Sequence, residues 1–375
     1  MPFAPLASVR SRLVVGAPLP CSVYDNDQTL LLARGKLVGS HEQLDALFER
    51  GALADVDELL TPGERLRRAP REALPRLWNE GLGRINQALM TAPTPSFTMA
   101  LDEAAGLVLG LVTRDPDLAI FQVLRQAGGP DVEYGVRRST HTAITSYLVA
   151  QRLAWEPGQL ERVFKVALTM NMSMLALQGQ LARHQGPLSP EVKAEIATHP
   201  MRSVELLAHA GIRDDDWLQA VARHHEVEDG SGYPTGRTDV GELASLVRRA
   251  DAYTSKLSSR SHRDAVAADQ AGRQMFMQDP GHPMTAALVK EFGIYPPGCM
   301  VRLSSGAMGI VVQRGPTVTT PVVACLTSPR GVALTRPERV DTSLAGQSVH
   351  AVVGESSCEI DAFTVPVKRG VCPGS

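Results

Sequence analysis

A long helical periodicity between about residues 100 and 292 most constrains the fold of this chain. Alanine and leucine recur there three and four positions apart, as in TAITSYLVAQRL and EVKAEIATHPMRSVELLAHAG. This spacing places the apolar side chains on one face of each helix, and that face must be buried against other helices. The pattern therefore predicts a helical bundle as the largest part of the protein.

Two smaller regions with shorter apolar runs flank the helical segment. Before it, RLVVG and LLLARG alternate with turn residues, and the helix-like run HEQLDALFERG ends at Gly51, a favourable residue after a helix. After Gly298, runs such as MGIVVQRG and PVVACLTS are rich in β-branched residues and indicate strands. We predict a mainly α fold with a small N-terminal α+β module and a small C-terminal β domain. The expected domains are residues 1–70, a helical connector at 71–99, the helical domain at 100–294 and the β-rich extension at 295–375.

Composition excludes several classes of protein. The formal net charge of -2 over 375 residues gives no reason to expect general nucleic-acid binding. No apolar run reaches the roughly 18 residues of a membrane span, and the N-terminus lacks the apolar core of a signal peptide. The five cysteines form no CxxC pair, which favours a reducing compartment. We therefore expect a cytoplasmic protein that binds neither nucleic acid nor membrane.

Histidines recur at intervals along the helical segment. The candidates are His141, His199, His224 and His225, and Asp251 follows them. Neutral imidazoles suit iron, manganese and zinc, and a carboxylate adds charge that helps to hold a divalent cation. Helical bundles commonly bind metals through side chains of facing helices. Any one of these histidines alone is more simply an ordinary core or surface residue, but together they form a coherent candidate metal site.

The turn after the histidine pair has the sequence GSGYP. Gly230 and Gly232 permit backbone angles that other residues avoid, and Pro234 stiffens the exit. Tyr233 is thus expected to be held near the histidines. The alternative is that this segment is only a loop that ends a helix.

The stretch HHEVEDGSGYP, from His224 to Pro234, closely resembles the signature of the HD-GYP family. That family comprises metal-dependent phosphodiesterases that open the bacterial second messenger cyclic di-GMP. RSTHTAITSYLVAQRL is similar to the family's first histidine helix, and GPLSPEVKAEIATHP is similar to the segment that carries the next one. RRADAYTSKLSSRSHR resembles the later helix with an aspartate ligand and basic residues. The resemblance covers about residues 120 to 315 and implies an HD-type helical bundle.

The resemblance also implies roles for individual residues. Metal-ligand positions fall on His141, His199, His224, His225 and Asp251. Tyr233 falls where the family's tyrosine lines the nucleotide pocket, and Arg260 and Arg263 fall where basic residues meet phosphates. A planar guanidinium pairs bidentately with phosphate oxygens, although a solvated helix face explains both arginines equally well. The GYP turn resembles a docking surface for diguanylate cyclase (GGDEF) partners.

Other positions depart from the family pattern. The namesake His-Asp dyad falls on Met170 and Asn171, and the lysine expected nearby falls on Met174. A glutamate ligand one turn before the first histidine is replaced by Arg137, and a second aspartate by Thr254.

These replacements change the chemistry of the site. Asn171 offers a neutral amide, which is a poor bridge between two cations. Met170 offers a soft thioether, which is ill suited to iron or manganese and better suited to packing in a core. Arg137 places a cation where an anion is expected. No residue is therefore assigned to catalysis.

The sequence is consistent with three functions. We favour an HD-GYP-like protein of cyclic di-GMP signalling that is catalytically impaired and acts as a receptor or an interaction scaffold. The alternative is an active phosphodiesterase with an altered, mononuclear centre at His199, His224 and His225. A third interpretation is an interaction module, like the related HDOD domains, in which the site has no part. The resemblance implies iron or manganese, with one ion at most or none, and leaves open a homodimer.

Overall fold

The computed structural model of the protein describes residues 3–60, 63, 66, 68–125, 133–258 and 265–353. The chain forms two compact units, Met1–Pro70 and Arg71–Ser375. Helices dominate the described residues, and small antiparallel sheets lie near the two ends of the chain. This confirms the predicted mainly α class.

The N-terminal unit combines a short antiparallel sheet with one helix. Its strands are β1 (Phe3–Pro5), β2 (Val23–Tyr24), β3 (Leu30–Leu32) and β4 (Leu53–Asp55), in the order β1-β4-β2-β3, and its helix is α1 (His41–Glu49). Ser40 caps α1 by accepting a hydrogen bond from the backbone N–H of Gln43. Gly51 follows the helix with a φ of +73°, the left-handed conformation expected after a helix end.

The second unit begins with a series of helices. They are α2 (Leu74–Met90), α3 (Phe97–Arg114), α4 (Pro116–Leu124), α5 (Tyr134–Arg152), α6 (Pro157–Thr169), α7 (Leu175–Arg183), α8 (Pro190–His209), α9 (Asp215–Arg223), α10 (Glu242–Leu257), α11 (Ala268–Gln278) and α12 (Pro283–Phe292). Proline opens α4, α6, α8 and α12, where its fixed φ suits the first turn and its missing N–H costs nothing. Residues 71–99, expected as a connector, contain all of α2, which packs along α3.

Helix α5 lies at the centre of the helical region. It packs against α2, α4, α6, α7, α10 and α12, and nearly all of its residues are buried. Many of these buried residues are polar, among them Ser139, Thr140 and His141. A buried helix is normally apolar on every side, so the polar content of α5 marks it as a helix that builds a site.

The C-terminal sheet follows the helices in the same unit. Its strands are β5 (Met300–Leu303), β6 (Met308–Gln313), β7 (Val322–Thr327), β8 (Ala333–Asp341) and β9 (Val349–Val352), in the order β8-β7-β6-β5-β9. Arg314, just after β6, attaches the sheet to the helices through Asp117 at 2.5 Å and Glu291 at 2.6 Å. Phe121 of α4 packs against Met300, Ile310 and Ala324 of this sheet.

Among the described helices, none combines the length and the apolar character that a bilayer span requires.

Gly135 allows α5 to approach α7 closely, and this gives a test of the packing. A Cβ atom at Gly135 would lie 2.3 Å from the carbonyl oxygen of Leu175, so backbone would have to move. We expect Gly135→Ala to lower the free energy of unfolding in urea by about 1–3 kcal/mol. The control is Gly106→Ala on the exposed face of α3, where a Cβ meets nothing within 4 Å. The free energy of unfolding of that variant should rise by about 0.5–1 kcal/mol, because alanine has a higher helix propensity than glycine. Equal effects of the two substitutions would contradict the close approach.

Candidate functional site

Three histidines meet between α8 and the segment that follows α9. His199 lies within α8, while His224 and His225 come directly after α9, which ends at Arg223. One ring nitrogen from each of the three lies within 4.8 Å of the others. His199 is 1% exposed and His224 is fully buried. The adjacent pair therefore lies in the turn that follows α9.

The ring orientations of His199 and His224 are fixed by the backbone. Nδ1 of His199 donates to the carbonyl of Ile196 at 2.6 Å, and Nδ1 of His224 donates to the carbonyl of Val221 at 2.7 Å. A neutral ring that donates through Nδ1 has a lone pair on Nε2. The two Nε2 atoms lie 3.1 Å apart. Two lone pairs that face each other at this distance repel, and a cation between them removes the repulsion.

The surroundings keep these histidines neutral. Burial lowers the pKa of His224 well below its ordinary value, and the neighbouring His225 and His199 lower it further. Burial lowers the pKa of His199 as well. Burial, together with the charges of His199 and Arg138, lowers the pKa of His225 to about 3. Neutral imidazole is the form that binds a metal, and backbone carbonyls commonly orient such ligands through the other ring nitrogen. The three histidines thus fit one metal ion.

The predicted dyad positions lie in the interior of the protein. Met170 is fully buried, and Asn171 and Met174 are 3% and 7% exposed. Met170 and Asn171 precede a short 3-10 turn at Met172–Met174, which ends with Met174. Within this turn, the Ser173 hydroxyl donates to the carbonyl of His199 at 2.9 Å and so ties the turn to α8. This segment brings no carboxylate to the site.

Glu226 shapes the loop after the histidine pair, a role that the sequence reasoning missed. Its side chain is 1% exposed and accepts hydrogen bonds from the N–H and hydroxyl of Thr235, both at 2.7 Å, and from the N–H of Arg237 at 3.1 Å. A buried carboxylate with three donors closes the loop back on itself. The adjacency of Glu226 to the histidine pair was the only signal in the sequence.

Tyr233 lies over the histidines because the loop is tightly folded. A Cβ atom on Gly232 would lie 2.4 Å from the backbone N of Val227, so this position requires glycine for space. Gly230 adopts a φ of +80°, as expected, whereas Gly232 is required by close approach and not by its backbone angle. The Tyr233 ring stacks on His225, with centroids 4.5 Å apart.

His141 and Asp251, two further candidate ligands, join no group of three metal-binding side chains among the described residues. Asp251 accepts a hydrogen bond from Nη2 of Arg138 at 2.6 Å, and Arg138 is 5% exposed. The Thr142 hydroxyl lies 3.4 Å from the same carboxylate oxygen and 3.0 Å from the hydroxyl of Thr254. An arginine thus supplies the positive charge beside Asp251.

Two of the candidate ligand-binding residues, Arg260 and Arg263, lie outside the described residues.

Burial lowers the pKa of His141 to about 3, and the charges of Arg138 and Arg137 act in the same direction.

An ion-pair network holds the start of the loop against the helices. Glu228 accepts hydrogen bonds from the Ser245 hydroxyl, from Arg249 at 2.9 Å and from Arg248 at 2.9 Å. Arg249 is 2% exposed and also pairs with Asp279 at 2.7 Å. The network ties the loop to α10 and to the end of α11.

Comparison with known proteins places this region in a recognised group. Residues 131–278 match the HD domain family. The chain is 27% identical to "Cyclic di-GMP phosphodiesterase PA4108" of Pseudomonas aeruginosa, over 71% of this chain and 63% of that relative. It is 30% identical to "Cyclic di-GMP phosphodiesterase response regulator RpfG" of Xanthomonas campestris pv. campestris, over 38% of each chain. The chain thus spans less than two thirds of these relatives.

A solved structure is also similar. "Bd1817, a HDG"Y"P protein from Bdellovibrio bacteriovorus" superposes with a TM-score of 0.49 at 17% sequence identity. The superposition covers 77% of this chain and 98% of that chain.

The Glu228 network gives a pH-dependent test. Burial raises the pKa of Glu228, but hydrogen bonds from Ser245 and Arg249 and the charge of Arg248 outweigh it and lower the pKa from 4.5 to about 2. A carboxylate with a lowered pKa stabilises the fold fully above its unfolded value of 4.5 and loses this contribution as the pH falls to about 2. Glu228→Gln should therefore unfold more easily than wild type in urea near neutral pH, and this difference should shrink over that range. A difference that stays constant across the range would contradict the network's role.

Proposed function

This chain belongs to the HD-GYP family of HD domain proteins, and on that premise we propose that it is a catalytically impaired receptor or interaction scaffold for cyclic di-GMP signalling. Its relatives carry the name cyclic di-GMP phosphodiesterase, which supports this nucleotide as the ligand. Because the chain matches only part of each relative, the ligand is part of the proposal.

The proposal rests on a difference between the two halves of the site. One half keeps three converging histidines and the stacked Tyr233. In the other half, Asn171 stands where a bridging carboxylate is expected, and Asp251 is paired with Arg138. Hydrolysis by a metal pair requires both ions to be held around the phosphate, which needs anionic ligands between them. The residues present do not fit a second ion.

The first half of the site does fit a metal. His199, His224 and His225 would hold one ion. The family resemblance implies iron or manganese. With an ion bound there, the site would gain a Lewis acid for a phosphate oxygen. Tyr233 offers a stacked aromatic surface and a hydroxyl beside it. Burial raises the pKa of this tyrosine, with the Asp251 charge adding to it, so the hydroxyl keeps its proton. The proposal also includes a receptor or scaffold in which the three histidines hold no metal ion.

A second candidate function is a phosphodiesterase with a mononuclear centre. The observation that favours it is the pair of Nε2 lone pairs of His199 and His224, oriented by backbone hydrogen bonds as ligand nitrogens are. This arrangement is as consistent with a working single-metal centre as with a retained binding site. Turnover separates the two functions.

We also propose that the rim of the loop is a docking site. Residues 234–239 are exposed next to the histidine cluster, while Gly232 and Tyr233 are half-buried, so a partner such as a GGDEF domain would reach the GYP turn from the side of Pro234. A second copy of this chain is the alternative occupant, which would give a homodimer.

Turnover and binding, measured on the same preparation, test the proposed function. We expect full-length protein to bind cyclic di-GMP in a calorimetric titration and to yield no linear product with Mn(II), or with Fe(II) without oxygen. The reason is that the histidines and Tyr233 remain while the second metal position is lost. Product would be followed by chromatography.

The variant His224→Ala/His225→Ala is the control. Product that disappears in this variant would overturn impaired catalysis and favour the mononuclear enzyme. Absence of both binding and product would remove the receptor role and leave the scaffold.

A further inference from the structure

One face of α5 carries buried polar atoms without a hydrogen-bond partner among the described residues. They are Oη of Tyr134, Nη1 of Arg138, Nδ1 of His141 and Oγ1 of Thr145. The hydroxyls of Ser139 and Ser146, next to this face on α5, are unpaired as well. The spacings of four, three and four residues place the first four in one row along the helix. Each of these residues is at most 8% exposed. Buried polar groups are nearly always paired, so a row of unpaired ones indicates a place built for a polar ligand.

Arg138 is the charged member of this row. Its Nη2 is anchored on Asp251 at 2.6 Å, with side chains 6% and 17% exposed. Its Nη1 has no partner among the described residues. A guanidinium has five N–H donors in a fixed plane, so an arginine held on a carboxylate by one nitrogen can still donate to a second anion with the other.

The ion pair lies beside the histidine cluster. Arg138 is close enough for its charge to act on His225, and Asp251 is close enough to act on His199, His224 and Tyr233. The histidines of this cluster are neutral, whereas the charges of Arg138 and Arg248 both act on His225. Of these two cations, Arg138 belongs to the polar row of α5 and is the more buried, with its side chain 6% exposed against 22% for Arg248. A phosphate that leaves water needs such a charge-assisted partner.

We propose that Arg138 takes the place of a metal ion beside Asp251 and that its Nη1 binds a phosphate oxygen of the ligand. Only the identity of the ligand, cyclic di-GMP, rests on the proposed function. The site then binds a phosphodiester through a cation that belongs to the chain, so binding persists when metal is removed. One guanidinium bridges two anions, the carboxylate of Asp251 and the phosphate.

The test uses full-length protein freed of metal with EDTA and titrated calorimetrically with cyclic di-GMP and, separately, with inorganic phosphate. Removing Arg138 alone leaves Asp251 buried and unpaired, which can prevent folding. The informative variants are therefore Asp251→Asn and the double variant Arg138→Gln/Asp251→Asn, which removes both charges together. Thermal unfolding confirms that each variant is folded.

We expect Asp251→Asn to bind both probes at least as tightly as wild type, because its guanidinium no longer shares its charge with a carboxylate. The double variant should bind about tenfold to a hundredfold more weakly. Arg137→Gln, which removes the neighbouring charge on α5, is the matched control and should stay within about twofold of wild type.

The outcomes separate this inference from the proposed function. If the double variant binds cyclic di-GMP as wild type does, or if Asp251→Asn loses as much affinity as the double variant, the role of Arg138 is overturned and the receptor remains. If phosphate binding depends on Arg138 while cyclic di-GMP does not bind, the role of Arg138 is supported and the receptor form of the proposed function fails. Binding of neither probe by wild type overturns both the role of Arg138 and the receptor form of the proposed function.

Discussion

The ion pair between Arg138 and Asp251 determines what the rest of the site can do. It joins the central helix α5 to α10 at 2.6 Å in the protein interior. A carboxylate in such a place must be neutralised, and here a guanidinium fixed to the fold does so. A side chain cannot leave as a metal ion can. In the proposed function, the anion that would draw a second cation is already paired within the chain, which disfavours a paired metal centre.

At the histidine cluster, in contrast, the side chains that would hold a cation carry no charge of their own. His199 and His224 are neutral and buried, and their Nδ1 atoms are bonded to backbone carbonyls. The lone pairs of their Nε2 atoms face each other, and a cation between them would remove the repulsion. The site thus has one position with a cation supplied by the chain and one position suited to a cation from solution. This division supports the proposed function, in which the site would hold a phosphodiester but lacks the ligands of a two-metal hydrolase.

Part of this arrangement was accessible from the sequence. The helical period predicts the bundle, and the HHEVEDGSGYP stretch singles out the histidine pair and Tyr233, because local spacing determines both. The role of Arg138 was not accessible: the sequence drew attention to Arg137 instead. Adjacent residues on a helix point about 100° apart, and which of them faces the site depends on how α5 packs. The same holds for Glu226 and Gly232, whose roles arise when the loop folds back on itself.

The most direct measurement is anomalous X-ray diffraction from crystals of the full-length protein grown with Mn(II). The account predicts one anomalous peak, between the Nε2 atoms of His199 and His224 and the ring of His225, with Arg138 still paired to Asp251. A crystal with no peak and the same ion pair would be the metal-free form of the same site. A second peak coordinated by Asp251, with Arg138 displaced, would contradict the account, because the chain's own cation would then be exchangeable for a metal ion.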